Sequence, residues 1–389
     1  MSHWEVKQVA ASEELGIIGV DSFHFFVHEP ERSDGFYRNG FGWVPVARSG
    51  DTMSERTGQQ STVYGGGDIR VVVSHPTSDT CRAARYLRRH PDGIGSMTFE
   101  VTDIERTWDF LCARDATPIH PISSNRTDDG GRYRHFSITT AIGDVSFRFM
   151  QKDDYGGFAP GFEAVESAAE TSSAFNYLSI DHITSNAPTM AGPKLWMEHV
   201  LGMEQCWDIA FHTDDVSEGA DSGTGLKSVV MWDPRSGLKF PVNEPLQPFF
   251  KEGQINKFVE DNHGAGIQHI ALGVDDVVTA VDCLRKRSIE FLHTPPSYYE
   301  ASEARMAERG VSCGEIAHKL DTLAAQGILI DGSPVNQYLI QIFLKDAAVL
   351  YSEPAAGPFF YELIQRCGDE GFGEGNFRAL FEAIERDQG

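Results

Sequence analysis

Two histidines and one glutamate in the second half of the chain have the residue types of a metal site. His182 lies in the motif DHI, His269 in the motif QHI, and Glu362 in the motif FYELIQR. Two imidazoles and one carboxylate form the facial triad of non-haem Fe(II) oxygenases, which leaves coordination positions open for a substrate and for dioxygen. This combination predicts an Fe(II) site whose ligands, and catalytic residues, are His182, His269 and Glu362.

The two histidines occupy the same position in two sequence-related segments. A single histidine on an apolar strand is usually a hydrogen-bonded core residue, so neither would be informative alone. Two histidines at the same position of related segments, together with an acid on a closing strand of the same half, favour metal ligation. Other histidines share no such register and are interpreted as ordinary core or surface residues: His24, His199, His212, His263 and His293.

The first half of the chain carries different residues at the corresponding positions. Ser22 and Ser96 stand where the second half has its histidines, and Arg148, in the motif SFRFMQK, stands where it has the glutamate. An arginine in place of a carboxylate would repel a dication. We therefore predict that the first half binds no metal and serves structure or oligomer contacts.

A repeated unit positions these residues. Four segments, which begin at Gly19, Gly93, Ser179 and Gly266, each open with a short alternating apolar run and continue into an amphipathic stretch. The first pattern is typical of a strand and the second of a helix. Two or three β-rich runs follow each helix, which predicts an α+β fold of four β-α-β-β-β units that pair into two halves.

Composition places a boundary between the halves. Residues 156–175 are rich in Gly, Ala and Ser and show no sustained period. We predict an N-terminal pair of units over residues 1–155, a linker over 156–175, and a C-terminal catalytic pair over 176–389. The motif QSTVYGGGD is followed by neither a lysine nor a helical pattern, so it predicts a hairpin turn and not a phosphate-binding loop.

Charge and composition exclude several functional classes. The chain has 389 residues and a formal net charge of −24, which opposes binding to nucleic acid. No apolar run approaches the ~20 residues that cross a bilayer, and the N-terminus lacks a signal-peptide pattern. We therefore expect a cytoplasmic protein with neither nucleic-acid nor membrane partners. Its six widely spaced cysteines favour reduced thiols over disulfides or a zinc site.

Several motifs of the C-terminal half closely resemble the 4-hydroxyphenylpyruvate dioxygenase and 4-hydroxymandelate synthase family. They are GAGIQHIAL, FLHTPPSYYE, YLIQIF, YELIQR and GFGEGNFRALFEAIERDQ, and a looser resemblance extends over residues 15–388. The resemblance implies the vicinal oxygen chelate fold of the glyoxalase and bleomycin-resistance type. In that fold four βαβββ units form two open β-barrel halves, here with a C-terminal helix that closes the active site. It also implies a homo-oligomer, either a dimer or a tetramer.

The resemblance also implies the substrate pocket. It places Fe(II) on the same three residues and a small-molecule 2-oxo acid beside it, together with dioxygen. A phenol ring needs flat apolar walls and neutral hydrogen-bonding groups, because a buried charge is costly unless paired. The family's substrate-binding positions fall on Ser228, Asn243, Gln254, Gln268, Gln341, Phe343, Phe372 and Phe377.

The activity that the resemblance implies is the oxidative decarboxylation of 4-hydroxyphenylpyruvate to homogentisate and CO2, by ring hydroxylation and side-chain migration. Benzylic hydroxylation of the same substrate, which gives 4-hydroxymandelate, is the alternative. Asn243 favours the ring product, because the mandelate synthases resemble the PVNEP motif but place an apolar residue there. Residues 75–95, by contrast, look more like the mandelate synthases.

Two departures from the family pattern leave other substrates open. Gln337 stands where the family usually has glycine, and the stretch 343–360 is longer than the family pattern. A related aryl or alkyl 2-oxo acid is therefore a further alternative. A non-catalytic binding protein of the same fold is the last alternative, and the intact set of metal-ligating residue types disfavours it.

Overall fold

The computed structural model describes residues 15–166, 174–212, 225–246, 253–373 and 375–376. The described residues of the first half contain nine strands and four short α-helices. In chain order these are β1 (Ile17–Phe26), α1 (Pro30–Asp34), β2 (Val44–Ser49), α2 (Asp51–Thr57), β3 (Gln59–Gly66), β4 (Ile69–Pro76), α3 (Arg82–Leu87), β5 (Gly93–Val101), α4 (Ile104–Cys112), β6 (Pro118–Arg126), β7 (Arg132–Thr139), β8 (Ser146–Asp153) and β9 (Phe162–Ala164).

The described residues of the second half contain eight strands and seven α-helices. In chain order these are β10 (Tyr177–Asn186), α5 (Ala191–Trp196), β11 (Glu204–His212), β12 (Gly225–Trp232), β13 (Lys239–Pro245), α6 (Gln254–Asp261), β14 (Gly266–Val274), α7 (Val277–Lys286), α8 (Pro296–Glu300), α9 (Ser302–Glu308), α10 (Leu320–Gln326), β15 (Leu329–Ser333), β16 (Gln337–Phe343), α11 (Ala347–Tyr351) and β17 (Phe360–Cys367).

The strands form two sheets with corresponding strand orders. The first sheet runs β6-β7-β8-β5-β1-β4-β3-β2-β9, and the second runs β11-β12-β13-β10-β14-β17-β16-β15. In each sheet the opening strands of two units pair antiparallel at the centre, β1 with β5 and β10 with β14. Each opening strand also pairs in parallel with the closing strand of its own unit. The predicted α+β class and the four β-α-β-β-β units are confirmed.

Local sequence signals explain the helix that follows β14. The side chain of Asp276 accepts a hydrogen bond from the backbone N–H of Thr279, which caps the start of α7. The apolar side chains spaced from Val277 to Leu284 are buried against the sheet. The helix therefore forms where an N-cap and a single apolar face coincide, as the sequence predicts.

The glycine-rich motif forms the predicted hairpin. Strands β3 and β4 pair antiparallel across it, from Gly66 opposite Ile69 outward. Gly67 in the turn has a φ of +56°, and a Cβ atom there would lie 2.4 Å from the carbonyl oxygen of Tyr177. A larger residue at this turn would therefore push the hairpin away from β10.

The predicted linker contains a strand. Within residues 156–175, strand β9 pairs antiparallel with β2, with Arg48 opposite Glu163. The composition did not predict this strand, because a short edge strand needs no sustained hydrophobic period; the division at this stretch stays a prediction. Residues 167–173 of the same stretch lie outside the described residues.

One hydrophobic core extends through both halves. Phe240 of β13 packs against Phe99 and Phe147 of the first sheet, at ring-centroid distances of 6.2 and 5.8 Å. The hydroxyls of Tyr37 and Tyr361 form a buried hydrogen bond of 2.9 Å between the halves. Within the described ranges, none of the helices has the length and apolar character needed to span a membrane.

Candidate metal centre

Three neighbouring strands bring the two histidines and the glutamate to one face of the second sheet. Ala271 of β14 is paired with His182 of β10 on one side and with Glu362 of β17 on the other. His269 lies two residues before Ala271 on the same strand, and residues two apart point to the same face of a sheet. The three side chains are therefore convergent, and all three residues are buried.

The distances within this cluster suit a metal ion. The Nε2 atoms of His182 and His269 lie 3.2 and 3.4 Å from Oε2 of Glu362. One ligand atom from each residue lies within 4.8 Å of the ligand atoms of the other two. The cluster thus has the donor set and spacing that a single metal ion requires.

Outer partners orient both imidazoles. Nδ1 of His182 lies 2.9 Å from Oδ1 of Asp181, and Nδ1 of His269 lies 3.1 Å from Oε1 of Gln268. The guanidinium of Arg366 holds Asp181 through two hydrogen bonds, of 2.6 and 2.7 Å. With Nδ1 held in this way, both rings direct Nε2 toward the cluster, where a metal would displace any proton on it.

One buried atom in the cluster lacks a partner. Oε1 of Glu362 is fully buried and has no hydrogen-bond partner among the described residues. Leaving a buried carboxylate oxygen unpaired is costly, and a bound cation removes that cost. Together with the two Nε2 atoms, this oxygen is what a divalent metal of the Fe(II) type would need, so the residues fit such an ion.

The members of the cluster shift one another's pKa values. Burial raises the pKa of Glu362, but the two imidazoles outweigh burial and hold that pKa below its ordinary value. Burial lowers the pKa of His182, but Glu362 and Asp181 outweigh it and raise the pKa to about 9. Burial dominates at His269, whose pKa is lowered. The carboxylate is thus ionised and positioned to ligate.

The cluster lies in the wall of a cavity with a neutral polar side. The hydroxyl of Ser228 and the amides of Asn243, Gln268 and Gln341 line it. The Nδ2 atom of Asn243 donates a 3.0 Å hydrogen bond to Oδ1 of Asn186, which fixes the orientation of its amide. This side offers hydrogen bonds to a ligand without introducing an unpaired charge.

Aromatic side chains also line the cavity. Phe360 stacks on the ring of His269 at 4.9 Å between ring centroids, and Phe343 lies 6.0 Å from the same ring. Phe372 lies 5.5 Å from the ring of His182 and stacks with Trp207 at 6.0 Å. A planar ring could therefore lie between flat apolar walls next to the metal-ligating atoms.

Comparison with known proteins gives the family. The Glyoxalase/Bleomycin resistance protein/Dioxygenase superfamily matches residues 19–140 and 179–306. The 4-hydroxyphenylpyruvate dioxygenase of Dictyostelium discoideum is 32% identical and covers 95% of this chain and 98% of its own. That of Caenorhabditis elegans is 31% identical and covers 97% of this chain and 94% of its own. The chain belongs to the 4-hydroxyphenylpyruvate dioxygenase family.

The fold is also that of a solved structure. A triple mutant of 4-hydroxymandelate synthase from Streptomyces coelicolor superposes with a TM-score of 0.76 at 24% identity, covering 96% of this chain and all of its own. The vicinal oxygen chelate fold expected from the family resemblance is therefore confirmed for this member of the dioxygenase family.

The structure brings together most of the site residues that the sequence analysis predicted for this family. Gln254 is the most peripheral, since it is exposed at the start of α6 but still lines the cavity. Phe377, and the predicted C-terminal helix that follows it, lie outside the described residues. The predicted residues found together are His182, His269, Glu362, Ser228, Asn243, Gln254, Gln268, Gln341, Phe343 and Phe372.

Sequence reasoning missed other members of the cavity wall. Thr184 and Phe360 lie two residues from His182 and from Glu362 on the same strands, so strand alternation could have found them. His293, to which the sequence analysis gave no role, also lines the cavity. Its segment is held near the cavity by an isolated bridge between Phe291 and Leu344, which leaves no local signal in the sequence.

The chain just before the predicted closing helix is anchored beside the cavity. The backbone N–H of Gly375 donates a 2.8 Å hydrogen bond to Oδ2 of Asp331, and the hydroxyl of Tyr298 donates to Oδ1 of Asn376. These contacts attach the entry to the C-terminal segment to β15 and α8. Phe372, four residues before Asn376, lies 5.5 Å from the ring of His182.

Proposed function

We propose that this protein is an Fe(II)-dependent dioxygenase that converts 4-hydroxyphenylpyruvate and O2 into homogentisate and CO2. Its metal ligands in this proposal are His182, His269 and Glu362. The observation that carries the proposal is the convergence of these three buried side chains in the wall of a neutral, aromatic-lined cavity. The relatives named 4-hydroxyphenylpyruvate dioxygenase support the choice of substrate.

The protein's own residues prepare the metal site, where the substrate's acid end would bind. Bound Fe(II) would supply open coordination positions for the 2-oxo acid and the electrons that dioxygen needs. Asp181 and Gln268 orient the imidazoles, and Glu362 supplies the one negative charge of the ligand set. With a single anionic ligand, the site retains a net positive charge toward a carboxylate substrate.

The remaining cavity residues aim the ring. Ser228, Asn243 and Gln341 can form hydrogen bonds with the phenol or its oxygen-bearing chain. Phe343 and Phe372 pack against the ring faces, and such contacts contribute about 0.5–1.5 kcal/mol beyond the area that they bury. Because both flank the histidines, they hold the ring close to the reacting end of the substrate and exclude water from it.

The benzylic product is the second candidate outcome. Ring and benzylic hydroxylation consume the same substrate and need the same ligands, so the position of the ring decides between them. The amide of Asn243 is the polar group on which we base the ring product, and its contact with Asn186 keeps it directed. A different 2-oxo acid is the third candidate, in view of the unusual Gln337 and the long stretch 343–360.

Product analysis tests the proposal directly. The purified chain is loaded with Fe(II), supplied with 4-hydroxyphenylpyruvate in air, and its oxygen uptake and products are measured by electrode and mass spectrometry. We expect one O2 consumed per homogentisate formed. Exclusive 4-hydroxymandelate would favour the second outcome. No oxygen uptake with any aryl or alkyl pyruvate would favour a non-catalytic binding protein.

Three expectations from the sequence complete the proposal. We propose that residues 1–155 act as a metal-free structural half and residues 176–389 as the catalytic half. A homo-oligomer, either dimer or tetramer, stays a prediction, as does a cytoplasmic location. Analytical ultracentrifugation of the full chain measures the oligomeric state, and cell fractionation measures the location.

A further inference from the structure

The first sheet contains a counterpart of the metal cluster with opposite charge. On β5, Thr98 is paired with Ser22 of β1 on one side and with Arg148 of β8 on the other. This is the register that places His182 and Glu362 beside Ala271 in the second sheet. At the point where the second half offers a carboxylate to a cation, the first half therefore presents a guanidinium.

This guanidinium faces an open cavity. The cavity of the first half has a volume of about 610 Å³, within the ~300–1,000 Å³ range of small-ligand pockets. Arg148 lies half-buried in its wall, with Arg82 and Arg85 from the start of α3 and Arg56 from α2 also lining it. Four arginines around one cavity contrast with the formal charge of −24 for the whole chain.

The acids near this cavity do not neutralise Arg148. Of the described residues, none offers a carboxylate within ion-pairing distance of Arg148, and its Nε donates only a 3.4 Å hydrogen bond to Ser137. Two acids line the cavity, Asp21 and Glu55. Asp21 is paired with Lys152 at 3.2 Å and accepts a hydrogen bond from Ser22, and Glu55 is exposed. A half-buried guanidinium without an acid is the group that best recognises a planar carboxylate, because its donors match both oxygens.

Other groups of the wall favour an aromatic ligand. Tyr133, Phe158 and Phe162 line the cavity. His24 lines it too, with Nε2 at 2.6 Å from the hydroxyl of Ser74, and burial together with Arg148 and Arg82 lowers the pKa of His24 to about 3. The imidazole is therefore neutral at pH 7 and adds no charge of its own.

We propose that the cavity of the N-terminal half binds a small aromatic carboxylate, held at its acid group by Arg148 and at its ring by Tyr133, Phe158 and Phe162. This site is separate from the proposed metal centre and does not depend on it. Nothing in its formation requires a metal or turnover, so it is measured in the metal-free protein.

Calorimetric titration of the full-length, metal-free chain tests the site. The probes are phenylacetate, its neutral analogue phenylacetamide, and inorganic phosphate. We expect saturable binding of phenylacetate, at least tenfold weaker binding of phenylacetamide, and no competition by phosphate. Equal binding of the acid and the amide, or binding of phosphate in preference to phenylacetate, would overturn the proposal.

Variants locate the bound acid. Arg148→Gln should weaken phenylacetate binding at least tenfold, and Arg148→Lys should weaken it less, since a lysine keeps the charge but loses the paired donors. The matched control Arg126→Gln removes an exposed arginine of the same sheet outside the cavity and should leave binding unchanged. Asn243→Leu, in the metal-side cavity, should also leave it unchanged. Phenylacetate binding that is retained in Arg148→Gln but lost in Asn243→Leu would contradict the proposal.

Oxygen uptake separates this proposal from the proposed function. Arg148→Gln should turn over 4-hydroxyphenylpyruvate at the wild-type rate when iron is present, because Arg148 lies outside the metal centre. If the chain proves to have no oxygenase activity, the calorimetric result still decides whether the carboxylate site exists. If phenylacetate fails to bind while turnover is normal, only the carboxylate site is refuted.

Discussion

Each half of this chain has an aspartate held by a basic residue, called here the outer pair. The residues next to that pair, called here the inner set, differ: they are His182, His269 and Glu362 in the second half and Ser22, Ser96 and Arg148 in the first. In the second half, Asp181 next to His182 is held by Arg366. In the first half, Asp21 next to Ser22 is held by Lys152 at 3.2 Å. The two basic residues follow Glu362 and Arg148 by four positions in their strands.

The outer pair is common to both halves and is therefore part of the scaffold, whereas the inner set differs and is what makes a metal site. An aspartate held by a cation on the closing strand is present in both halves, so it is compatible with either set of inner groups. What changes is the inner set, from two imidazoles and a carboxylate to two hydroxyls and a guanidinium. Three differences in residue type at one shared sheet register thus invert the charge that the inner set carries.

Removing the inner carboxylate should have the largest effect. We expect Glu362→Gln to abolish turnover of 4-hydroxyphenylpyruvate and to lower metal affinity, because it removes the one anionic ligand. The matched change in the other half, Arg148→Gln, should leave turnover unchanged. Oxygen uptake and metal content by mass spectrometry measure both, and circular dichroism checks the fold. Wild-type oxygen uptake in Glu362→Gln would refute the ligand assignment.

Weakening the outer pair should have the next largest effect. Asp181→Asn should lower metal affinity by about 10- to 100-fold, which is the usual consequence of losing a group that orients a histidine ligand. Asp21→Asn, its counterpart in the first half, should leave metal affinity unchanged. Competition titration with a chelator measures both. Equal losses in the two variants would show that Asp181 acts on the whole fold and not on the metal centre.

Changing the polar wall should alter the product more than the rate. Asn243→Ile removes the amide that we expect to aim the ring, so the product should shift toward the benzylic side or ring hydroxylation should fall. Ser74→Ala changes the residue of β4 in the corresponding position and should leave the product ratio as in the wild type. Mass spectrometry of the products decides, and an unchanged ratio at an unchanged rate would remove the reason for preferring homogentisate.

Removing one aromatic wall should have the smallest effect. Phe372→Ala removes a ring contact of about 0.5–1.5 kcal/mol, which corresponds to a roughly 2- to 10-fold higher KM. Phe158→Ala, in the cavity of the first half, should leave the KM for 4-hydroxyphenylpyruvate unchanged. Steady-state oxygen uptake measures both. A higher KM in Phe158→Ala would mean that the two cavities communicate.

The fold could be predicted from the sequence because the signals for its elements are local and repeated. The four opening strands, the capped apolar helix α7 and the GGGD hairpin each lie within a few residues, so periodicity and turn chemistry identify them. The sequence gives no signal for strand β9, since a three-residue edge strand needs neither a period nor a turn signal. The C-terminal helix stays a prediction.

The sequence by itself determined which residue types stand at equivalent positions of the four units, and therefore where a cation or an anion could be held. Only the tertiary structure decided which side chains share the cavity. Trp207 reaches Phe372 from β11, and His293 arrives from a segment outside the sheet. Arg366 meets Asp181 across 185 positions of the chain. These contacts between distant residues depend on the strand order and on the paths of the loops, which the local pattern of residues does not indicate.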